Sequence, residues 1–137
     1  MLTFNVKILI KHFIKVQTFF TLLFAINFSE NISPIIYNNC TVCHRPGEIG
    51  AFLQLTNFNE VYSNRDLIAY AISGDENLRH GEPIMPPWPP DRSYSTLIGE
   101  RYLTENQIHD ILEWISGGAV QGDPSLEFPM PIFPEGS

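Results

Sequence analysis

The sequence predicts a small all-α fold with long proline-rich loops. The best periodic segment in the chain is helical, no alternating strand pattern matches it in quality, and proline is concentrated where helix and central strand are both forbidden. The clearest helix lies near the C-terminus. Thr104 and Gln107 form a capping box, Ile108, Ile111, Leu112 and Ile115 repeat at i, i+3, i+4 and i+7, and Gly117 and Gly118 end the element. An earlier helix is announced by Asn57 with Glu60 three residues on. It continues through Phe58, Val61, Tyr62, Ala69 and Ile72, with Gly74 as its natural stop. Ser33 followed by Pro34 reads as an N-cap with proline at the first helical position, which starts a short helix through Ile35, Ile36 and Tyr37 into Cys40. Between Gly81 and Gly99, Pro83, Pro86, Pro87, Pro89 and Pro90 impose a loop, and Ile84, Met85 and Trp88 within it predict that the loop packs against something.

At 137 residues the chain has the length of one domain. Residues 1–29 read as a signal peptide or N-terminal anchor, because Lys7, Lys11 and Lys15 precede an apolar run from Val16 to Phe28. That run is short of the roughly 20 apolar residues a membrane span needs. Residues 30–123 are the predicted domain, and 124–137, with four prolines in fourteen residues, a linker or extended strap. Charge is distributed unevenly. From Glu30 onward there are fifteen acids against five arginines, an excess of ten negative charges. Such a surface repels nucleic acid and anionic lipid and steers the domain toward a basic docking patch on a partner. Membrane contact is expected only through the N-terminal segment, if that is retained.

The sharpest chemical signal is Cys40-Thr41-Val42-Cys43-His44. Two thiols at this spacing can add across the two vinyl groups of one haem, and the adjacent imidazole then becomes an axial ligand of the iron. Other readings of the cysteines each lack a partner. A structural zinc site wants four ligands, and here only His80 or His109 could complete Cys40, Cys43 and His44. A thioredoxin-like pair wants a neighbouring βαβ pattern, and a disulfide closing so small a loop contributes little. Met85 is the leading candidate for the sixth ligand, since Pro86 and Pro87 stiffen the loop that presents it. His80, five residues earlier, is its rival. Bis-His ligation would lower the reduction potential relative to His/Met. His109 lies off the apolar stripe of its helix and is expected to be exposed. Trp88, Tyr94 and Trp114 are expected to pack.

Two stretches, CTVCHRPGEIGAFLQLTNFNEV and PIMPPWPPDRSYSTLIGERYLTENQIHDILEWISGGAVQGDP, resemble a family of bacterial c-type cytochrome domains marked by a CxxCHRPG start and an MPPW loop. The resemblance spans about residues 32–124. It implies a class I cytochrome c-like fold around one covalent haem c, with Cys40 and Cys43 as thioether residues and His44 and Met85 as iron ligands. It also implies that the Pro46 carbonyl accepts the hydrogen bond of the His44 ring. One departure is the insertion GDENLRHGEP before the methionine, which keeps His80 in consideration. The ending FPMPIFPEGS resembles the linker that, in longer relatives, leads into a further domain, sometimes one similar to copper-dependent, ascorbate-type monooxygenases.

Electron transfer by a mono-haem, His/Met-ligated domain is therefore expected, either toward a redox partner protein or toward a fused domain of a larger oxidoreductase. The location implied is periplasmic or otherwise extracytoplasmic, with a membrane anchor if the N-terminal segment is retained. Two alternatives belong to other classes: a haem-dependent, peroxidase-like catalyst with an open sixth position, and a haem-free metal-binding structural module.

Overall fold

The computed structural model describes residues 26–73, 84–87 and 101–133. Among these the chain is helical and forms no strand. The helices are α1 (Ser33–Asn39), α2 (Phe58–Ser63), α3 (Arg65–Ser73) and α4 (Glu105–Ser116), with a π-helical turn at Phe28–Ile32 leading into α1 and a short 3₁₀ turn at Pro124–Leu126. No helix among the described residues is long and apolar enough to cross a membrane. His80, Trp88, Tyr94, residues 1–25 and most of the proline-rich loop lie outside the described residues.

The first helix begins earlier than Ser33. Asn27 caps the π turn by accepting the Glu30 N–H at 3.0 Å, and the turn runs directly into α1. Ser33 does not cap. Its hydroxyl is buried and donates to the Ser29 carbonyl at 2.7 Å, while accepting the Phe128 N–H at 3.0 Å. Phe28 and Ser29, which the sequence assigns to the leader, are fully buried. The folded part therefore starts before Glu30, and residues 26–29 belong with the domain. Their backbone is tied to the segment after α4 by Phe28 N–H to Val120 carbonyl and Ser29 N–H to Gln121 carbonyl, both 2.9 Å.

Asn57 caps α2 through the Glu60 N–H at 3.1 Å, as its spacing predicts, but the return arm differs. The Glu60 carboxylate accepts from the backbone N–H and hydroxyl of Thr56, at 2.7 and 2.8 Å, because that residue offers two donors side by side. The predicted single helix is two, broken at Asn64. The Asn64 side chain donates to the Glu60 carbonyl at 2.8 Å and competes with helix continuation, while its own carbonyl starts α3 by accepting the Ile68 N–H at 2.9 Å. In α4 both arms of the Thr104–Gln107 capping box are made, at 2.9 and 3.2 Å.

The core gathers one face of each helix. Phe28 sits at its centre, with ring centroids of Tyr37, Phe58 and Trp114 at 6.0, 5.3 and 5.8 Å. Ile32, Ile36, Val61, Ile68, Ile72 and Ile111 close around them. The indole N–H of Trp114 is satisfied by the Val120 carbonyl at 2.9 Å. That contact needs the chain to reverse after α4, and Gly118 and Ala119 reverse it with φ of 99° and 53°. A left-handed alanine costs about 1–2 kcal/mol, which burial of Ala119 and its N–H bond to the Trp114 carbonyl at 2.8 Å offset. Gly122 then passes so close to Asn27 that a Cβ would stand 2.4 Å from its Oδ1.

Residues beyond the 3₁₀ turn lie back along α1. The Tyr37 hydroxyl donates to the Glu127 carboxylate, and Met130 packs on the core. Burial first, then the bonded carboxylate of Glu127, pushes the Tyr37 phenol well above its ordinary value. The folded protein thus favours the protonated phenol more than the unfolded chain does. This stabilisation is complete below about pH 10 and declines as pH rises from there toward the raised folded value. Tyr37→Phe is expected to reduce that alkaline decline, measured as denaturation midpoint against pH. Phe28→Ala should lower unfolding free energy by roughly 3–5 kcal/mol in denaturant titrations.

Candidate functional site

The Cys40–His44 segment continues α1 as a tight turn. The Cys40 N–H donates to the Ile36 carbonyl at 2.8 Å, and the N–H groups of Cys43 and His44 both reach the Cys40 carbonyl, at 3.1 and 2.9 Å. One turn of chain thereby carries both thiols and the imidazole. Its base is anchored by Thr41, fully buried, whose hydroxyl donates to the Tyr37 carbonyl.

The loop that follows folds back onto this turn. Gly50 N–H donates to the Cys43 carbonyl at 2.8 Å and Leu55 N–H to the His44 carbonyl at 2.9 Å. Between them the Leu53 carbonyl stands 2.8 Å from His44 Nδ1. A carbonyl can only accept, so the ring proton sits on Nδ1 and the lone pair on Nε2, the arrangement a metal-ligating imidazole requires. Resemblance assigns that acceptor role to Pro46. Here it belongs to Leu53, because the 50–55 return, held at both ends by backbone bonds, lays the Leu53 carbonyl against the ring. The close approach depends on Gly50, where a Cβ would meet the Cys43 oxygen at 2.6 Å and His44 Nδ1 at 2.8 Å.

Cys40 and Cys43 are both free thiols. Burial, and to a lesser degree Cys43, pushes the Cys40 thiol up to about 12. A thiol–disulfide exchanger needs the opposite, a lowered thiol pKa. No group of three or more His, Cys, Asp or Glu side chains converges as a metal set among the described residues, which do not include His80. Phe52 is 86% exposed and its ring stands edge-on to His44 with centroids 6.3 Å apart, and Ile49 in the same loop is 87% exposed. Two free thiols and an imidazole that donates through Nδ1 lie on one turn, and these are the groups a covalently attached porphyrin would use.

Met85 stands on a separate support. The N–H groups of Ile84 and Met85 donate to the Ala71 carbonyl at 2.9 and 3.0 Å, so the half-buried methionine is fastened to the last turn of α3 by a carbonyl that helix termini leave without an internal partner. His109 is exposed beside Asp110 and Glu113, with Nδ1 at 3.8 and 3.6 Å from their carboxylates. Trp114 belongs to the core. Sequence reasoning missed Leu53, whose role is played by its backbone, and Gly50, for which the only signal was a glycine six residues past the histidine.

Comparison with protein-family models, curated proteins and solved structures produced no match. Gly50→Ala is expected to displace the loop from His44 and to cost roughly 1–3 kcal/mol of stability, as forced shifts in packed regions do. Thermal unfolding would measure the cost, and loss of the Nδ1–H signal in nuclear magnetic resonance would report the displaced ring.

Proposed function

We propose that this chain is a mono-haem c-type cytochrome domain that carries single electrons. The observation that supports this most directly is the His44 imidazole, held by Leu53 through Nδ1 on the same turn as two free thiols. Cys40 and Cys43 would hold the haem by adding each S–H across a vinyl group, and His44 Nε2 and the Met85 sulfur would be its iron ligands. When bound, the haem supplies a centre that gains and loses one electron.

The chain's own residues then have defined tasks. Leu53 fixes the tautomer and orientation of His44, and its bond raises the ligand basicity of the imidazole. Phe52, edge-on to the imidazole, and Ile49 in the same loop leave exposed apolar surface that a haem would cover. Met85, tied by backbone to α3, can present its thioether with little freedom to lose. The acidic excess beyond residue 29 favours a partner, separate or fused, with a basic docking patch. The same reading puts the domain outside the cytoplasm, directed by the basic and then apolar N-terminal segment.

Protein from a host that matures c-type cytochromes should show one haem mass that survives denaturation. Loss of covalent haem in Cys40→Ala with Cys43→Ala, together with a low-spin spectrum in the parent, is the expected pattern. Met85→Ala should open the sixth position and lower the reduction potential; an unchanged spectrum and potential would exclude Met85 as ligand. An intact mass equal to the bare polypeptide would end the proposal.

A further inference from the structure

Arg45 follows His44 directly, and its guanidinium is held on three sides. One nitrogen donates to the Val42 carbonyl and, at 3.3 Å, to that of Thr41, both within the thiol-bearing turn. The other meets the Glu48 carboxylate at 2.6 Å, and the planar face lies 3.8 Å from the ring centroid of Phe133. Arginine is suited to this: a rigid fork reaches carbonyl and carboxylate together while its flat face stacks on an aromatic.

Phe133 is brought there by an extended segment along α1. Glu127 is bonded to Tyr37, the Phe128 N–H to Ser33, Met130 is packed on the core and Phe133 covers Arg45. The lengths are compatible. Five extended steps from Phe128 to Phe133 span roughly 17 Å, and the six steps from Ser33 to Asn39 cover about 9 Å at helical rise, which leaves the remainder for the turn that leads to Arg45. Pro129 and Pro131 restrict this stretch to extended backbone, so its reach is largely set by covalent structure.

We infer that Arg45 is a positioning residue for His44, and that Glu127–Phe133 is a strap that holds Arg45 in that role. By bonding the open carbonyls of Thr41 and Val42, Arg45 keeps the turn closed beneath the imidazole, and the strap restricts its guanidinium from outside. As a role in ligand positioning, the inference rests on the haem reading above; as a brace on the turn, it can be tested on the polypeptide alone.

The test compares Phe133→Ala, Phe133→Tyr and Arg45→Gln with the parent in the full chain, produced in a host that matures c-type cytochromes. Amide hydrogen exchange at His44, Gly50 and Leu55, whose N–H groups bond to Cys40, Cys43 and His44, should accelerate roughly three- to tenfold in Phe133→Ala and Arg45→Gln. Amides of α4 should keep their parental rates, and Phe133→Tyr, which retains a ring, should behave as the parent. In haem-bearing protein the two disruptive variants should also shift the midpoint potential. Unchanged exchange at the three amides, an equal rise throughout α4, or an unmoved midpoint would each overturn the inference. A chain that carries no haem would overturn the electron-carrier reading instead, and the exchange pattern would then decide the brace by itself.

Discussion

A hydrogen bond from the His44 ring to the Leu53 carbonyl sets the protonation of the imidazole, and it exists only because the chain between them doubles back. Two backbone bonds close that return, Gly50 to Cys43 and Leu55 to His44, so ring and acceptor are placed by main chain rather than by side-chain choice. The consequence is chemical. With its proton fixed on Nδ1, the ring has its lone pair on Nε2, and the neighbouring thiols lie on the same turn.

This small site borrows its rigidity from the core. The turn continues α1, α1 continues the π turn that buries Phe28, and Phe28 is the ring around which Tyr37, Phe58 and Trp114 pack. Thr41, buried and bonded to the Tyr37 carbonyl, carries that order to the edge of the motif. The exposed Phe52 ring stands edge-on to the imidazole. On the proposed reading, a haem would attach without rearranging these supports, which would limit the ordering entropy.

Electrostatics divides along similar lines. Within the motif, burial pushes the Cys40 thiol up from its ordinary value. At the surface, acids outnumber bases, and the His109, Asp110 and Glu113 group on α4 is an exposed part of that excess. The two are compatible, because the first follows from desolvation of Cys40 and the second from charges spread over the sequence beyond residue 29.

Local sequence determined the helical class, the capping box of α4, the Asn57 cap and the Cys40–Cys43–His44 spacing, since each depends on residues within one or two turns of one another. Tertiary structure alone decided the rest. The break at Asn64 reflects a side chain bonding back to Glu60, and the place of Phe28 in the core depends on backbone partners at Val120 and Gln121. Leu53 in place of Pro46, and Phe133 on Arg45, arise from chain reversals whose closing contacts are carbonyls and ring faces. Such groups carry no signature in a string of residue names, because any residue supplies a carbonyl and a ring's partner is set by where the chain returns.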